Sequence, residues 1–370
     1  MDTCDVLIVG GGPAGSSCAW ALRSSGLDVV ILDKQIFPRD KICGGWITPA
    51  VLEQLEIDAS EYGSHHLLQP ITSFRVGRIG GPAVETDYGK PVSYGIRRRE
   101  FDHYLLKRST ARLMQGTALT SLKRTGNEWL ANDHIGASVV IGAGGHFCPV
   151  ARLVGNKKPG EPAVVAQEAE FEMDARQQAA CRVKSETPEL YFCSDMKGYG
   201  WCFRKGNVMN IGLGRADPHT LTAHVADFLQ FLKSTGRIAF EVPPMHGHAY
   251  LLEGTSTRTI VGDGVLLIGD AAGLAYPQSG EGIRPAVESG LSAARDILAN
   301  RLSAYRSTNQ QKPWALTVAS HIPTPLISAA ARLLLTTSWF VREVVLNDWF
   351  LQLNRDGAGT TTPSSDFQSL

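Results

Sequence analysis

Three glycines, Gly10, Gly12 and Gly15, stand in a G-x-G-x-x-G pattern directly after the short apolar run Val6 to Val9. In that setting the first glycine permits a tight turn, the second lets a pyrophosphate reach the backbone, and the third lets a helix pack closely on a strand. The amide N–H groups opening that helix suit phosphate charge. Asp33 closes the next apolar run, Val29 to Leu32, where its carboxylate can accept hydrogen bonds from a ribose diol. This pattern binds a dinucleotide without saying which one.

A late segment, "GVLLIGDAAGLAYPQSGEGI", decides between them. Gly269 and Asp270 end an apolar run, and Pro277, Gly280, Gly282 and Ile283 lead into a helix. The carboxylate suits a sugar-like chain and the backbone N–H groups suit a ring carbonyl. A ribityl chain and an isoalloxazine need both, and NAD has neither, so the expected cofactor is FAD. The chain carries no second G-x-G-x-x-G for NAD(P)H. Electrons are therefore expected from transiently bound NAD(P)H or from a reduced electron-carrier protein.

Two further groups could do chemistry. Cys43 lies in "KICGGW", beside basic Lys41 and the glycines Gly44 and Gly45. Against a flavin it could donate a proton or line the pocket, since nearby positive charge favours thiolate. It could equally be a small residue needed only for close approach. Tyr199, Trp201 and Phe203 share one face of a strand, because side chains alternate with period two. They form either the core side of a sheet or a substrate wall. Arg98 opens a helix, where a cation opposes the helix dipole, and a bound anion would relieve that conflict. No metal is expected, since His246 and His248 are close but form no metal-ligand pattern, and no G-x-S-x-G elbow marks a serine hydrolase.

The elements that must hold these residues follow from hydrophobic patterning. The first 33 residues read as strand, glycine turn, helix, strand. A helix is expected over "RRREFDHYLLKRSTARL", then a short strand at "TALTSL". "ASVVIGAGG" and "GVLLI" are buried strands that join one sheet from distant positions. Between them, "AVVAQEAEFEM", "ELYFCSDM", "GYGWCFRK" and "VMNIGLGRA" predict an inserted antiparallel sheet. The fold class is α/β (α+β): a Rossmann-like FAD-binding domain over residues 1–67, 93–160 and 255–302, and a substrate domain over 68–92 and 161–254. C-terminal helices are expected over 303–355 and a flexible tail over 356–370.

The apolar C-terminal helices would pack on the second domain, or rest on a membrane or receive a long apolar substrate. At 370 residues, 43% apolar and zero net charge, the chain can bury a large core and shows no surface suited to nucleic acid. Seven cysteines without a CxxC pair fit a reducing, cytoplasmic setting, with peripheral membrane contact at most.

These motifs together resemble the geranylgeranyl reductase family of FAD-dependent oxidoreductases, within the p-hydroxybenzoate hydroxylase fold group. The family's phosphate loop matches "GGGPAGS", adding Pro13 and Ala14, and its ribose acid matches Asp33, followed by Lys34. Its R-x-x-F-D element matches Arg98, Phe101 and Asp102, and its Cys-Gly-Gly matches Cys43, Gly44 and Gly45. Its Y-x-W-x-F strand matches Tyr199, Trp201 and Phe203. The resemblance places Lys34, Lys41, Gly44, Ala143 and Gly144 beside the cofactor. It implies reduction of carbon-carbon double bonds in an apolar, prenyl-like substrate.

Two positions depart from the pattern. The middle motif reads Gly142, Ala143, Gly144, Gly145, without the G-A-D-G aspartate, which counts against a hydroxylase and against NADPH. Arg204 and Lys205 stand where a proline is usual. Two alternatives remain: a FAD-dependent monooxygenase or halogenase acting on a small aromatic or natural-product substrate, and a non-catalytic prenyl-binding escort. Halogenase relatives carry W-x-W-x-I-P, which this chain lacks.

Overall fold

Strand Asp2–Val9 runs through the middle of an eight-stranded sheet, parallel to Val29–Asp33 on one side and to Ile135–Gly142 on the other. The chain is described here by a computed structural model, which covers residues 2–155, 160–255, 258, 261–262, 264–300, 330 and 333–353. Arg112–Gln115 extends the sheet beyond Val29–Asp33. Val265–Leu267 pairs in parallel with the last part of Ile135–Gly142, and the hairpin of Leu122–Thr125 and Glu128–Ala131 pairs with its first part. Leu7 and Val9 join Val30, Leu32 and Val140 in one apolar layer, while Val6 and Ile8 join Val29, Ile31 and Ile141 in the other. Both faces are covered, which is why these strands read as continuous apolar runs.

Helix Pro13–Leu22 starts at the glycine turn, with Pro13 in its first turn and Gly12 as N-cap. It crosses helix Ile283–Leu298 at close range, because a Cβ at Gly290 would collide with the Ala14 carbonyl. Helix Arg98–Arg108 buries Phe101, Leu105 and Leu106. The short strand expected at "TALTSL" is instead a loop. The Asn132 side-chain oxygen takes the Thr120 and Ser121 amide hydrogens, so strand pairing begins only at Leu122.

A seven-stranded sheet faces this unit, in the order His246–Leu251, Ala163–Glu172, Val208–Arg215, Gly198–Lys205, Glu189–Phe192, Ser73–Arg78 and Ala83–Asp87. It is antiparallel except where Glu189–Phe192 runs parallel to Ser73–Arg78, the strand that enters from an earlier part of the chain. Helix Leu221–Ser234 covers one face, and a Cβ at Gly200 would meet the Phe228 ring at 2.7 Å. Gly206, at φ 60°, turns the chain between Gly198–Lys205 and Val208–Arg215. Lys205 folds inward there, donating to the Ile96 carbonyl at 2.8 Å and to the partly exposed Glu170 at 2.7 Å. Trp46–Ile47, Ser93–Ile96 and Leu68–Ile71 form a third, three-stranded sheet, joined to the seven-stranded one through Lys205 and Ile96.

Of the C-terminal helices, residues 303–329 and the expected tail over 356–370 lie outside the described residues. The π-helical segment Phe340–Phe350 packs Val341, Val345, Leu346 and Phe350 against Trp46, Phe74 and Trp201. Tyr88 donates to Asn347 at 2.7 Å beside it. Among the described residues no helix is long and apolar enough to cross a membrane.

Candidate active site

A cavity of about 890 Å³ lies between the two large sheets, within the range of about 300–1,000 Å³ usual for ligand pockets. One side is built by the glycine turn and the ends of the parallel strands: Gly10, Gly12, Pro13, Ala14, Asp33, Lys34, Ala143 and Gly144. Lys41, Cys43, Gly44, Arg98, Asp270, Gly280, Gly282 and Ile283 also line it. The seven-stranded sheet supplies Tyr199, Trp201, Phe203, Glu168, His248 and Tyr250, and the C-terminal segment supplies Phe350. Gly15, Gly269 and Pro277 stand outside the lining. A Cβ at Gly15 would collide with the Gly10 carbonyl, so that glycine serves helix-on-strand packing.

The glycine-turn side fits an extended dinucleotide. Gly10 adopts φ 116°, and a Cβ there would meet the Ala143 carbonyl oxygen at 2.5 Å. At Gly12 the nearest atom to a Cβ is Arg39 Nη2 at 3.6 Å, so its backbone is open to the cavity. Helix Pro13–Leu22 has no side-chain cap and no acidic residue in its first turn, which leaves its leading N–H groups for an anion. Asp33 is held by the Gly11 amide at 2.7 Å and the Gln35 amide at 2.8 Å. Burial pushes the Asp270 carboxyl up, against the opposing pull of Lys41 and Arg98.

Arg98 meets its counter-charge within its own helix. Its Nε and Nη2 donate to the two oxygens of Asp102 at 2.8 and 2.9 Å, and Arg39 Nη1 stands 3.0 Å from the same carboxylate. The dipole conflict foreseen for a cation at this helix start is thus balanced by Asp102. Lys41 Nζ lies 3.0 and 3.2 Å from the two ring nitrogens of His248. Burial first, then Lys41 and Arg98, push the His248 imidazole down to about 3, so it is neutral at ordinary pH. Lys41 is itself pushed down, chiefly by burial and then by Arg98.

The "KICGGW" loop lies on the aromatic strand. A Cβ at Gly44 would meet Phe203 at 3.2 Å and Trp201 Nε1 at 3.5 Å. At Gly45, with φ 65°, it would collide with the Ile96 carbonyl and come to 2.5 Å from Lys205 Nζ. Packing of the loop on protein therefore requires Gly45, while a side chain at Gly44 would press on Phe203. Cys43 is half-buried, and its sulfur accepts the Gly45 amide hydrogen at 3.5 Å and interacts with the Arg98 guanidinium. Its peptide is gripped from the sheet: the Cys43 N–H donates to Glu168, and Asn210 Nδ2 donates to the Cys43 carbonyl at 3.1 Å.

Tyr199 donates its hydroxyl to the Ser279 carbonyl, and a Cβ at Gly280 would meet the Tyr250 hydroxyl at 2.5 Å. Burial pushes both phenols up. Trp201 donates to Asn210 Oδ1 at 2.7 Å, with its ring lying over Gly212. Tyr199, Trp201 and Phe203 thus belong to the core and to the cavity wall at once. The cavity also holds a residue absent from the sequence-based candidates. Glu168 is 4% exposed, and burial pushes its carboxyl up to about 7. Its signal was an acid at an inward position of the alternating strand "AVVAQEAEFE". Among the described residues no cluster of His, Cys, Asp or Glu is arranged to hold a metal.

Residues 8–76 match the family model of the NAD(P)-binding Rossmann-like domain. The menaquinone reductase of Mycobacterium tuberculosis is 29% identical, over 87% of this chain and 86% of its own length. The digeranylgeranylglycerophospholipid reductase of Methanothrix thermoacetophila is 30% identical, over 81% of this chain and 79% of its own. The crystal structure of a geranylgeranyl bacteriochlorophyll reductase-like protein from Thermoplasma acidophilum superposes with a TM-score of 0.69. It is 22% identical, covering 90% of this chain and 88% of that one, which shows a shared fold. With the glycine turn, the Cys-Gly-Gly loop and the aromatic strand meeting in one cavity, and this likeness along most of its length, the chain belongs to the geranylgeranyl reductase family of FAD-dependent oxidoreductases.

Proposed function

We propose that the protein binds FAD along the glycine-turn side of the cavity and reduces carbon-carbon double bonds of an apolar, prenyl-like chain held against the aromatic strand. The observation that carries this reading is that one cavity is lined both by the dinucleotide turn and by Tyr199, Trp201, Phe203 and Phe350, with the Cys43 loop also on its wall. Two relatives named as reductases of menaquinone and of digeranylgeranylglycerophospholipid support a prenyl lipid as the substrate class.

Held by these residues, the flavin would supply hydride chemistry for one carbon of the alkene. Cys43, on the same cavity wall as Arg98, is the group proposed to give the proton to the other carbon. Asp33 and the open N–H groups of helix Pro13–Leu22 would hold the dinucleotide, and Asp270, also on the cavity wall, would accept hydrogen bonds from its sugar-like chain. The aromatic wall aligns the apolar chain and keeps water from the thiol. An isolated alkene accepts hydride poorly, so alignment along this wall matters more than acid strength. The electrons would come from transiently bound NAD(P)H or from a reduced carrier protein.

The test is anaerobic. The FAD-loaded protein is reduced with dithionite, mixed with a geranylgeranylated lipid, and the product is weighed by mass spectrometry. A gain of two hydrogens per double bond is expected. A gain of one oxygen, appearing only in air, would establish a monooxygenase instead. A purified protein that is colourless and takes up no added FAD would leave a lipid-binding escort.

A further inference from the structure

We infer that Glu168 and Asn210 are positioning residues that clamp the Cys43 peptide from both sides and so fix where its thiol points. The inference rests on the reading that this thiol acts on the substrate. Cys43 belongs to a loop that follows the parallel sheet, yet neither of its peptide groups is bound by that sheet. The N–H goes to Glu168 on strand Ala163–Glu172, and the carbonyl goes to Asn210 on strand Val208–Arg215.

The hydrogen bonds of Asn210 leave its amide a single orientation. An indole N–H can only donate, so Trp201 Nε1 at 2.7 Å must face the oxygen Oδ1. The amide nitrogen is then turned to two acceptors, the Cys43 carbonyl at 3.1 Å and Glu170 Oε2 at 3.2 Å. Asn210 is fully buried, and a buried amide with every bond satisfied is rigid. Glu170 is in turn held by Lys205 at 2.7 Å. On the other side, the Glu168 side chain stands over Gly212, where a Cβ would come within 2.7 Å of Glu168 Cβ and would strike the Trp201 ring. Substrate wall and thiol are therefore one hydrogen-bonded unit.

The Cys43 peptide is held by side chains, whereas strand pairing takes over only from Gly45 onward, so the clamp can be removed without breaking a ladder. The test uses the FAD-loaded protein and measures iodoacetamide labelling of Cys43 by peptide mass; the other six cysteines are buried. Glu168→Ala and Asn210→Ala each change the labelling rate by about fivefold or more. Each also lowers kcat by about tenfold or more with KM within about twofold, because displacing a reacting group costs rate rather than binding. Glu168→Gln, which keeps an acceptor oxygen, recovers most of both losses.

Unchanged labelling in both alanine variants overturns the clamp, as does a kcat loss with unchanged labelling. The two arms are independent, so one variant that fails to retain FAD leaves the other to decide. If labelling responds as stated but Cys43→Ser turns over like the parent, the clamp stands and the proton role of the thiol fails.

Discussion

Arg98 and Asp102, one turn apart on a single helix, are joined by two parallel hydrogen bonds of 2.8 and 2.9 Å, with Asp102 completely enclosed. Arg39 reaches the same carboxylate, so one acid balances two cations at the cavity wall. Removing one partner of such a buried pair leaves uncompensated charge, which costs about 3–5 kcal/mol. Asp102→Ala should lose that much stability by urea unfolding of the flavin-free protein and should bind FAD weakly. A loss below about 1 kcal/mol would show that water replaces the carboxylate.

Glu168 and His248 impose opposite pH dependences on folding. The Glu168 carboxyl is pushed up by burial to about 7, above the roughly 4.3 of a free glutamate. The folded state then holds a proton that the unfolded chain releases, so stability falls as pH rises from about 4.5 to 7. His248, pushed down to about 3 by burial and by Lys41 and Arg98, stays neutral while the unfolded chain protonates below about 6.5. Its contribution is lost as pH falls from about 6.5 to 3. Between about 4.5 and 6.5 the two slopes, each at most about 1.4 kcal/mol per pH unit, oppose one another. Glu168→Gln should therefore lose stability more steeply than the parent on acidification through that window. Parallel profiles for the two proteins would refute the Glu168 assignment.

Gly212 is the floor on which the Trp201 ring lies. A methyl group there would strike the ring and approach Glu168 Cβ. Overpacking of this kind costs about 1–3 kcal/mol. Gly212→Ala should show that loss in thermal unfolding and should slow turnover by moving Trp201 off Asn210. Full activity with unchanged stability would mean the wall yields freely.

Phe350 closes the cavity from the C-terminal segment, 5.4 Å from Tyr199 and 5.7 Å from Trp46 between ring centroids. Phe350→Ala should cost about 3–5 kcal/mol and widen the apolar end. Competition between short and long prenyl substrates should then shift toward the longer or bulkier one. An unshifted preference would place the chain elsewhere along the wall.

The glycine turn and Asp33 were legible because their chemistry is local: strand, turn, helix and acid follow one another within the first 33 residues. The Arg98–Asp102 pairing also stood in plain view as an i,i+4 spacing, although a bound anion was first assigned to balance Arg98. The Cys43 clamp was not legible. Its partners lie 125 and 167 positions away, and nothing in "KICGGW" reveals that its glycines answer to Phe203 and Ile96. Glu168 left only a faint trace, one acid at an inward place of an alternating strand. Contacts across sheets formed from distant segments carry no periodic signature.

The central position of strand Asp2–Val9 has a consequence for synthesis on the ribosome. Its partner Ile135–Gly142 pairs with it along nearly its whole length, and that partner is in turn paired with Val265–Leu267. At translation rates of about 5–20 residues per second, the first strand waits on the order of ten seconds for its neighbour to emerge. During that interval the nascent chain presents an apolar strand with one unpaired edge. Chains released before residue 135 keep that edge permanently, so prematurely terminated products should aggregate and call on chaperones, whereas in the folded protein Ile135–Gly142 covers it.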